Sequence, residues 1–274
     1  MLALLALLGA CGAGEVTPFA VVASSHGGNG SVGVGTQRLM FALVDPETEE
    51  FLAAPDREAT LTLRDQNGSP LGTYPMEFIW TVPEVRGLYV ARPDIPEAGT
   101  YQATIDADGF ATAGPVGFVA VADSPLIQPG EKAPASETRT SAQHPDLSVI
   151  TSDPDPDPAM YELSVSEAVT DGTPAVIVFA TPAFCTSATC GPLLDQVKAL
   201  RPSYPGVDFV HVEIYEDIQV ESVEDLTTVP ATAEWGLPSE PWVFVVDATG
   251  EVTAAFEGAA SDAELTAAFD GVAP

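Results

Sequence analysis

Two cysteines carry the chemistry this sequence offers. Cys185 and Cys190 lie in the stretch Phe179-Ala180-Thr181-Pro182-Ala183-Phe184-Cys185-Thr186-Ser187-Ala188-Thr189-Cys190-Gly191-Pro192. A thiolate is both nucleophile and soft metal ligand, and a free thiol titrates near pH 8.5. Unpaired N–H groups at a helix N-terminus favour negative charge beside them, so a cysteine at a strand-to-helix turn is poised for disulfide exchange. Four residues separate the pair. On a regular helix five steps turn about 500°, leaving the thiols about 140° apart. A bond between them therefore requires Cys185 in the loop ahead of a helix. Pro192 agrees, because proline is tolerated in the first helical turn. The helix is then expected to start near Gly191, with Cys190 at its mouth.

The elements around the pair follow from pattern. Ala175–Phe179 is a continuous apolar run, as in a strand buried on both faces. Pro192–Leu200 has helical spacing, Val207–Ile214 reads as a second buried strand and Trp242–Val246 as a third. Asp247-Ala248-Thr249-Gly250 is a hairpin turn leading to Val252–Phe256. Ser164 with Glu167, and Ser261 with Glu264, are capping boxes that open two helices. This order is an α/β arrangement.

With these residues in view, the cysteine turn and the segment Pro238-Ser239-Glu240-Pro241-Trp242-Val243-Phe244-Val245-Val246-Asp247 resemble the thioredoxin superfamily over about Tyr161–Val272. The resemblance implies a C-terminal α/β thioredoxin-like fold over 159–274, with Cys185 and Cys190 as the redox pair and Pro241 as the cis-proline facing them. The four-residue spacing departs from the two residues usual in that family.

The rest of the chain is read in four parts. Residues 1–11, MLALLALLGAC, form an apolar run too short to span a bilayer but long enough for a signal peptide, although no Lys or Arg precedes it. Leu8-Gly9-Ala10-Cys11 resembles the lipobox of bacterial lipoproteins, which implies a lipid on Cys11 and an extracytoplasmic, membrane-anchored location in the cell envelope. Residues 12–36 read as a flexible tether. Short apolar segments between Pro, Gly and Asp over 37–122 predict an all-β sandwich. Within them Glu97–Thr104 resembles the start of strand F in immunoglobulin-like folds, where a tyrosine (here Tyr101) caps a corner. Residues 123–158 are rich in Pro and Asp, with Ser152-Asp153-Pro154-Asp155-Pro156-Asp157-Pro158 at their end, and predict an extended connector.

Nine Lys+Arg against 40 Asp+Glu give a formal net charge of -31. That surface repels nucleic acid and excludes it as a partner class. No phosphate loop, Ser-His-Asp arrangement or regular calcium-loop spacing is present, including in the acidic run from Glu213 to Glu224. Nor are the Pro and Thr that set a peroxiredoxin cysteine matched here. Trp80, Trp235 and Trp242 read as core or rim aromatics.

The sequence implies no cofactor. Three functions stay open. The first is a thiol–disulfide oxidoreductase acting on an envelope protein or redox partner. The second is a non-catalytic binding or scaffold lipoprotein in which Cys185–Cys190 is a structural staple. The third is a copper-handling protein, in which the thiols would bind Cu(I) with a distant histidine. His211 sits in an apolar strand as a packed core residue would, while His144 and His26 fall in the connector and the tether.

Overall fold

The computed structural model describes residues 17–22, 32–220 and 222–274. The apolar leader, Cys11 and most of the expected tether lie outside them. Among the described residues no helix is long and apolar enough to cross a membrane.

The N-terminal part is all strand: β1 (Phe19–Val22), β2 (Gly35–Thr36), β3 (Leu39–Val44), β4 (Ala59–Arg64), β5 (Pro70–Val82), β6 (Arg86–Ala91), β7 (Asp94–Ile95), β8 (Gly99–Ala107) and β9 (Ala113–Ala120). Alternation sets the faces. In β4, Ala59, Leu61 and Leu63 point inward and Thr60, Thr62 and Arg64 outward. The turn into β5 is fixed by Asp65, whose Oδ1 accepts from the Asn67 and Ser69 amides, both at 2.8 Å. Gly68 there has φ +83, a conformation that costs an L-residue side-chain strain.

Seven strands form one sheet in the order β1-β3-β6-β5-β4-β8-β9. The long β5 explains its curvature. Its first half pairs with β4 through Met76, and its second half pairs with β6 from Glu77 onward. The far edges then approach one another: Val32 bridges Ala120, and the Val121 amide donates to the Val32 carbonyl at 2.8 Å. The result is a nearly closed, barrel-like sheet, which corrects the expected immunoglobulin-like sandwich of two separate sheets. Phe41, Leu61, Leu63, Tyr89, Ile105 and Phe118 fill its interior. The Tyr101 hydroxyl donates to the Glu97 carbonyl at 2.7 Å, a local corner that a single curved sheet can hold.

The C-terminal part holds α1 (Val165–Ala168), β10 (Ala175–Ala180), α2 (Cys190–Leu200), β11 (Asp208–Glu213), α3 (Pro230–Glu234), β12 (Trp242–Val246), β13 (Val252–Glu257) and α4 (Asp262–Asp270). Its four-stranded sheet runs β11-β10-β12-β13. β10 is parallel to β11 and antiparallel to β12. Every residue of β10 and β12 is buried, because both faces of the sheet are covered. Val176, Val178, Leu194, Val197 and Phe269 build one core layer. Phe179, Trp235, Phe244 and Val246 build the other.

The chain as a whole is mainly β, with 34% strand and 17% helix. Of the helices, α1 has 4 residues and α3 has 5; the expected C-terminal α/β thioredoxin-like fold is therefore corrected to part of a mainly β chain, since so little helix does not make up an α/β layer architecture.

Residues 123–158 form a strap over the C-terminal sheet rather than a free connector. The Gly130 amide donates to the Val252 carbonyl at 2.8 Å and the Ala133 amide to the Gly250 carbonyl at 2.9 Å. Leu126 and Ile150 are buried. The prolines remove donors, and the segment is held instead through its aspartate side chains as acceptors and ion-pair partners. Asp153 and Asp157 accept from the amides two residues on, and they pair with Lys198 and Arg201.

The outer face of the first sheet packs on the corner between β13 and α4, with Met40, Ala42, Ile79, Leu88 and Val90 against Ala259.

Candidate functional site

Cys185 and Cys190 are joined by a disulfide. Their Cα atoms are 6.0 Å apart, within the span such a bond allows. The loop geometry explains how a five-step spacing closes. Cys190 opens α2, while Cys185 sits ahead of the helix in a turn whose Ala188 has φ +60. Pro192 occupies the first helical turn. The burial of the two sulfurs differs: Cys190 is 0% exposed and Cys185 is half-buried.

Polar groups converge on the outer sulfur. The Cys190 amide donates to Cys185 Sγ at 3.3 Å. The Ser187 hydroxyl lies 3.2 Å from the same sulfur and 2.8 Å from Thr189 Oγ1. The helix N-terminal donor therefore serves Cys185, although Cys190 is the residue inside the helix.

The first sheet reaches this loop. Arg86 Nη2 donates to the Ser187 carbonyl at 2.7 Å, and the Arg86 guanidinium is held by Thr81 Oγ1 and lies over the Phe51 ring. Beside it a cleft of about 320 Å³ runs between the sheet and the loop, lined by Met40, Phe51, Leu88, Thr189, Glu240 and Glu257.

Pro241 follows a cis Glu240–Pro241 peptide. Its carbonyl accepts from the Gly258 amide at 2.8 Å. Glu240, which the sequence reading passed over, puts a carboxylate oxygen within 4.8 Å of both sulfurs. Burial, and then the charge of Glu213, push its carboxyl above the usual range. Glu213 is itself buried and raised by desolvation, though Ser152 donates to it from both its amide and its hydroxyl. The signal for Glu240 was in the sequence: an acid directly before Pro241.

His211 is not part of this group. It is fully buried. The Tyr161 hydroxyl lies 2.7 Å from Nδ1 and the Ala180 carbonyl 3.1 Å from Nε2. Nε2–H donates to that carbonyl and Nδ1 accepts, so the neutral ring is satisfied and offers no metal a free nitrogen. Burial depresses its pKa from 6.5 to about 4. A base whose folded pKa is depressed favours folding above the unfolded value and loses that contribution as pH falls from about 6.5 toward 4. The shift corresponds to a loss of up to about 3 kcal/mol, partly offset by Glu213 and Glu240, whose raised values make protonation favour the fold. Urea unfolding between pH 7 and 4.5 is expected to show falling stability. His211→Asn is expected to flatten the curve; an unchanged slope in that variant would refute the assignment.

Comparison with known proteins gives little to lean on. No family model matches the chain, and no curated protein does. Among solved structures, a DUF4426 family protein from Pseudomonas aeruginosa PAO1 aligns at 16% identity, covering 40% of this chain and 94% of that one, with a TM-score of 0.26. A score that low carries no argument about fold or activity. The thioredoxin-superfamily resemblance is withdrawn, because the chain is mainly β with a barrel-like sheet and little helix.

Proposed function

We propose that Cys185–Cys190 is an exchangeable disulfide that passes electrons to or from a polypeptide partner outside the cytoplasm, with Cys11 as a lipid anchor. The observation that carries the reading is the asymmetry of the pair. The outer sulfur is reachable and has two hydrogen-bond donors, while the inner one is fully buried behind it.

In the reduced chain, Cys185 would be the nucleophile. Its thiolate attacks one sulfur of the partner's disulfide. That S–S bond breaks, and the partner's other sulfur leaves with the electron pair and takes a proton from water. The Cys190 thiol then gives up its proton and attacks Cys185 Sγ. The intramolecular disulfide closes and the second partner thiol is released. Two electrons and two protons pass to the partner; the reverse sequence oxidises it. The Cys190 amide and Ser187 hydroxyl favour the Cys185 thiolate by charge-assisted hydrogen bonds.

One observation favours a structural staple instead. Arg86 already holds the loop at the Ser187 carbonyl, so the bond could serve to fix the contact between the two sheets.

Titration of the full chain in glutathione buffers, with free thiols counted by mass and Cys185→Ser and Cys190→Ser as controls, separates the two. Reversible opening at a potential above about -300 mV is the expected result, since structural disulfides lie below it. A bond that stays closed across the whole range refutes exchange and leaves the staple.

A further inference from the structure

We propose that the reduced chain binds one zinc ion through Cys185 Sγ, Cys190 Sγ and a Glu240 carboxylate oxygen. The proposal rests on the exchange reading only in that the disulfide must be openable by some reductant. Among the described residues these three are brought together with their ligand atoms all within 4.8 Å of one another.

Glu240 is the telling member. It is half-buried in a chain of formal charge -31 and faces a second buried acid, Glu213. Yet no ion pair to it is found among the described residues: Arg86 donates to Ser187 and Thr81, and Lys198 pairs with Asp153 and Asp195. A divalent ion held by the two sulfurs would give this carboxylate an opposite charge at ligand distance.

The donor set selects the metal. Two thiolates and one carboxylate suit zinc, with Zn–S near 2.3 Å and Zn–O near 2.0–2.2 Å, and a tetrahedral ion with three protein ligands keeps an open position for water. Sulfurs on one zinc lie about 3.8 Å apart by that geometry, so cleavage of the S–S bond must precede binding. Cys185, in its loop, is the one placed to move. A set with a hard oxygen is poorer for Cu(I), which prefers thiolates alone.

The chemistry balances. A phosphine reductant takes up the oxygen of one water as phosphine oxide, delivering two electrons to the disulfide and two protons to the sulfurs. Zinc then displaces those two protons. The oxidised chain has one carboxylate at the site and no thiolate, so zinc binding there becomes a readout of redox state.

The test uses the full chain, reduced with a phosphine, freed of reductant without air and shown by mass to carry Cys185 and Cys190 as free thiols. Zinc affinity is measured by competition with a chromophoric chelator, and cobalt(II) serves as a coloured probe of thiolate ligation. The expected result is one tight zinc per reduced chain, absent in the oxidised chain, with Glu240→Gln weakening it by at least about tenfold. The oxidised chain also reports any loose binding to surface acids. Absence of binding when both thiols are free, equal binding in the oxidised chain, or unchanged affinity in Glu240→Gln each overturns the site. Zinc binding after phosphine reduction by a chain whose bond glutathione cannot open would uphold the site while refuting physiological exchange, so the two proposals fail separately.

Discussion

Gly236→Ala is expected to destabilise the protein by about 3–5 kcal/mol, the range of the severest single substitutions. Gly236 follows α3 with φ +65, and a Cβ built there would lie 1.7 Å from the Pro125 carbonyl oxygen and 2.3 Å from its carbon. Both atoms are backbone, so no side-chain rotation relieves the overlap. The strap must lift. Lifting it exposes Leu126, which is 1% exposed in the native chain, and breaks the bond from the Ile127 amide to the Trp235 carbonyl. Gly172→Ala is the matched control. Its φ is +89 with nothing within 4 Å of the new Cβ, so it carries the left-handed strain alone, about 1–2 kcal/mol. Thermal or urea unfolding of the two variants measures the difference. Equal losses would mean that the strap is not seated on α3 as described.

That prediction rests on a contact that no sequence pattern announces, and the same holds for most of what surrounds the cysteines. Features that are local in the chain were legible. β10 and β12 show as unbroken apolar runs because both their faces are buried. The capping boxes of α1 and α4 form as the Ser164–Glu167 and Ser261–Glu264 spacings imply. α2 begins at Cys190 because Pro192 limits where a helix can start. The loop position of Cys185 followed from the impossibility of bridging five steps along one helix.

Long-range pairing was not legible. Short strands separated by turns fit a sandwich or a barrel equally, and the choice was made by β5, which is long enough to leave one partner for another. The Asp-Pro segment was misread because composition records missing amide donors but not the Lys198 and Arg201 side chains that neutralise its acids from α2 and just beyond. Arg86 lies 101 positions from the Ser187 carbonyl it binds, a distance over which no spacing rule operates. Glu240 was within a quoted motif and still passed over, because an acid gains meaning there only once the sulfurs and Glu213 are placed around it.

Glu264 has two duties of which the sequence displayed one, and its removal is expected to cost about 3–5 kcal/mol, as when one partner of a buried ion pair is lost. As a cap it accepts from the Ser261 amide at 3.0 Å. As a clamp it accepts from Arg38 Nε at 2.8 Å and Arg38 Nη2 at 3.0 Å, and it pairs with Arg92, so the arginines just before β3 and just after β6 converge on one carboxylate of α4. Its side chain is 7% exposed and that of Arg38 11%. Burial alone would raise the carboxyl, but the Arg38 hydrogen bond and charge more than offset it, so Glu264 titrates below its ordinary range. A depressed carboxylate contributes stability above its unfolded value of about 4.3 and loses it as pH falls through the folded one. The clamp thus holds through the neutral range and weakens only in strong acid. Arg38 also donates to the Ala259 carbonyl, so Glu264→Ala leaves a guanidinium buried with one partner where it had two. Ser261→Ala isolates the cap, worth about 1 kcal/mol. Calorimetry of both variants, with limited proteolysis, reads the outcome: Glu264→Ala is expected to split unfolding of the two sheets into separate transitions, and Ser261→Ala to lower a single one. If Glu264→Ala loses no more than Ser261→Ala, the carboxylate is a helix cap and adds nothing to the contact between the two sheets.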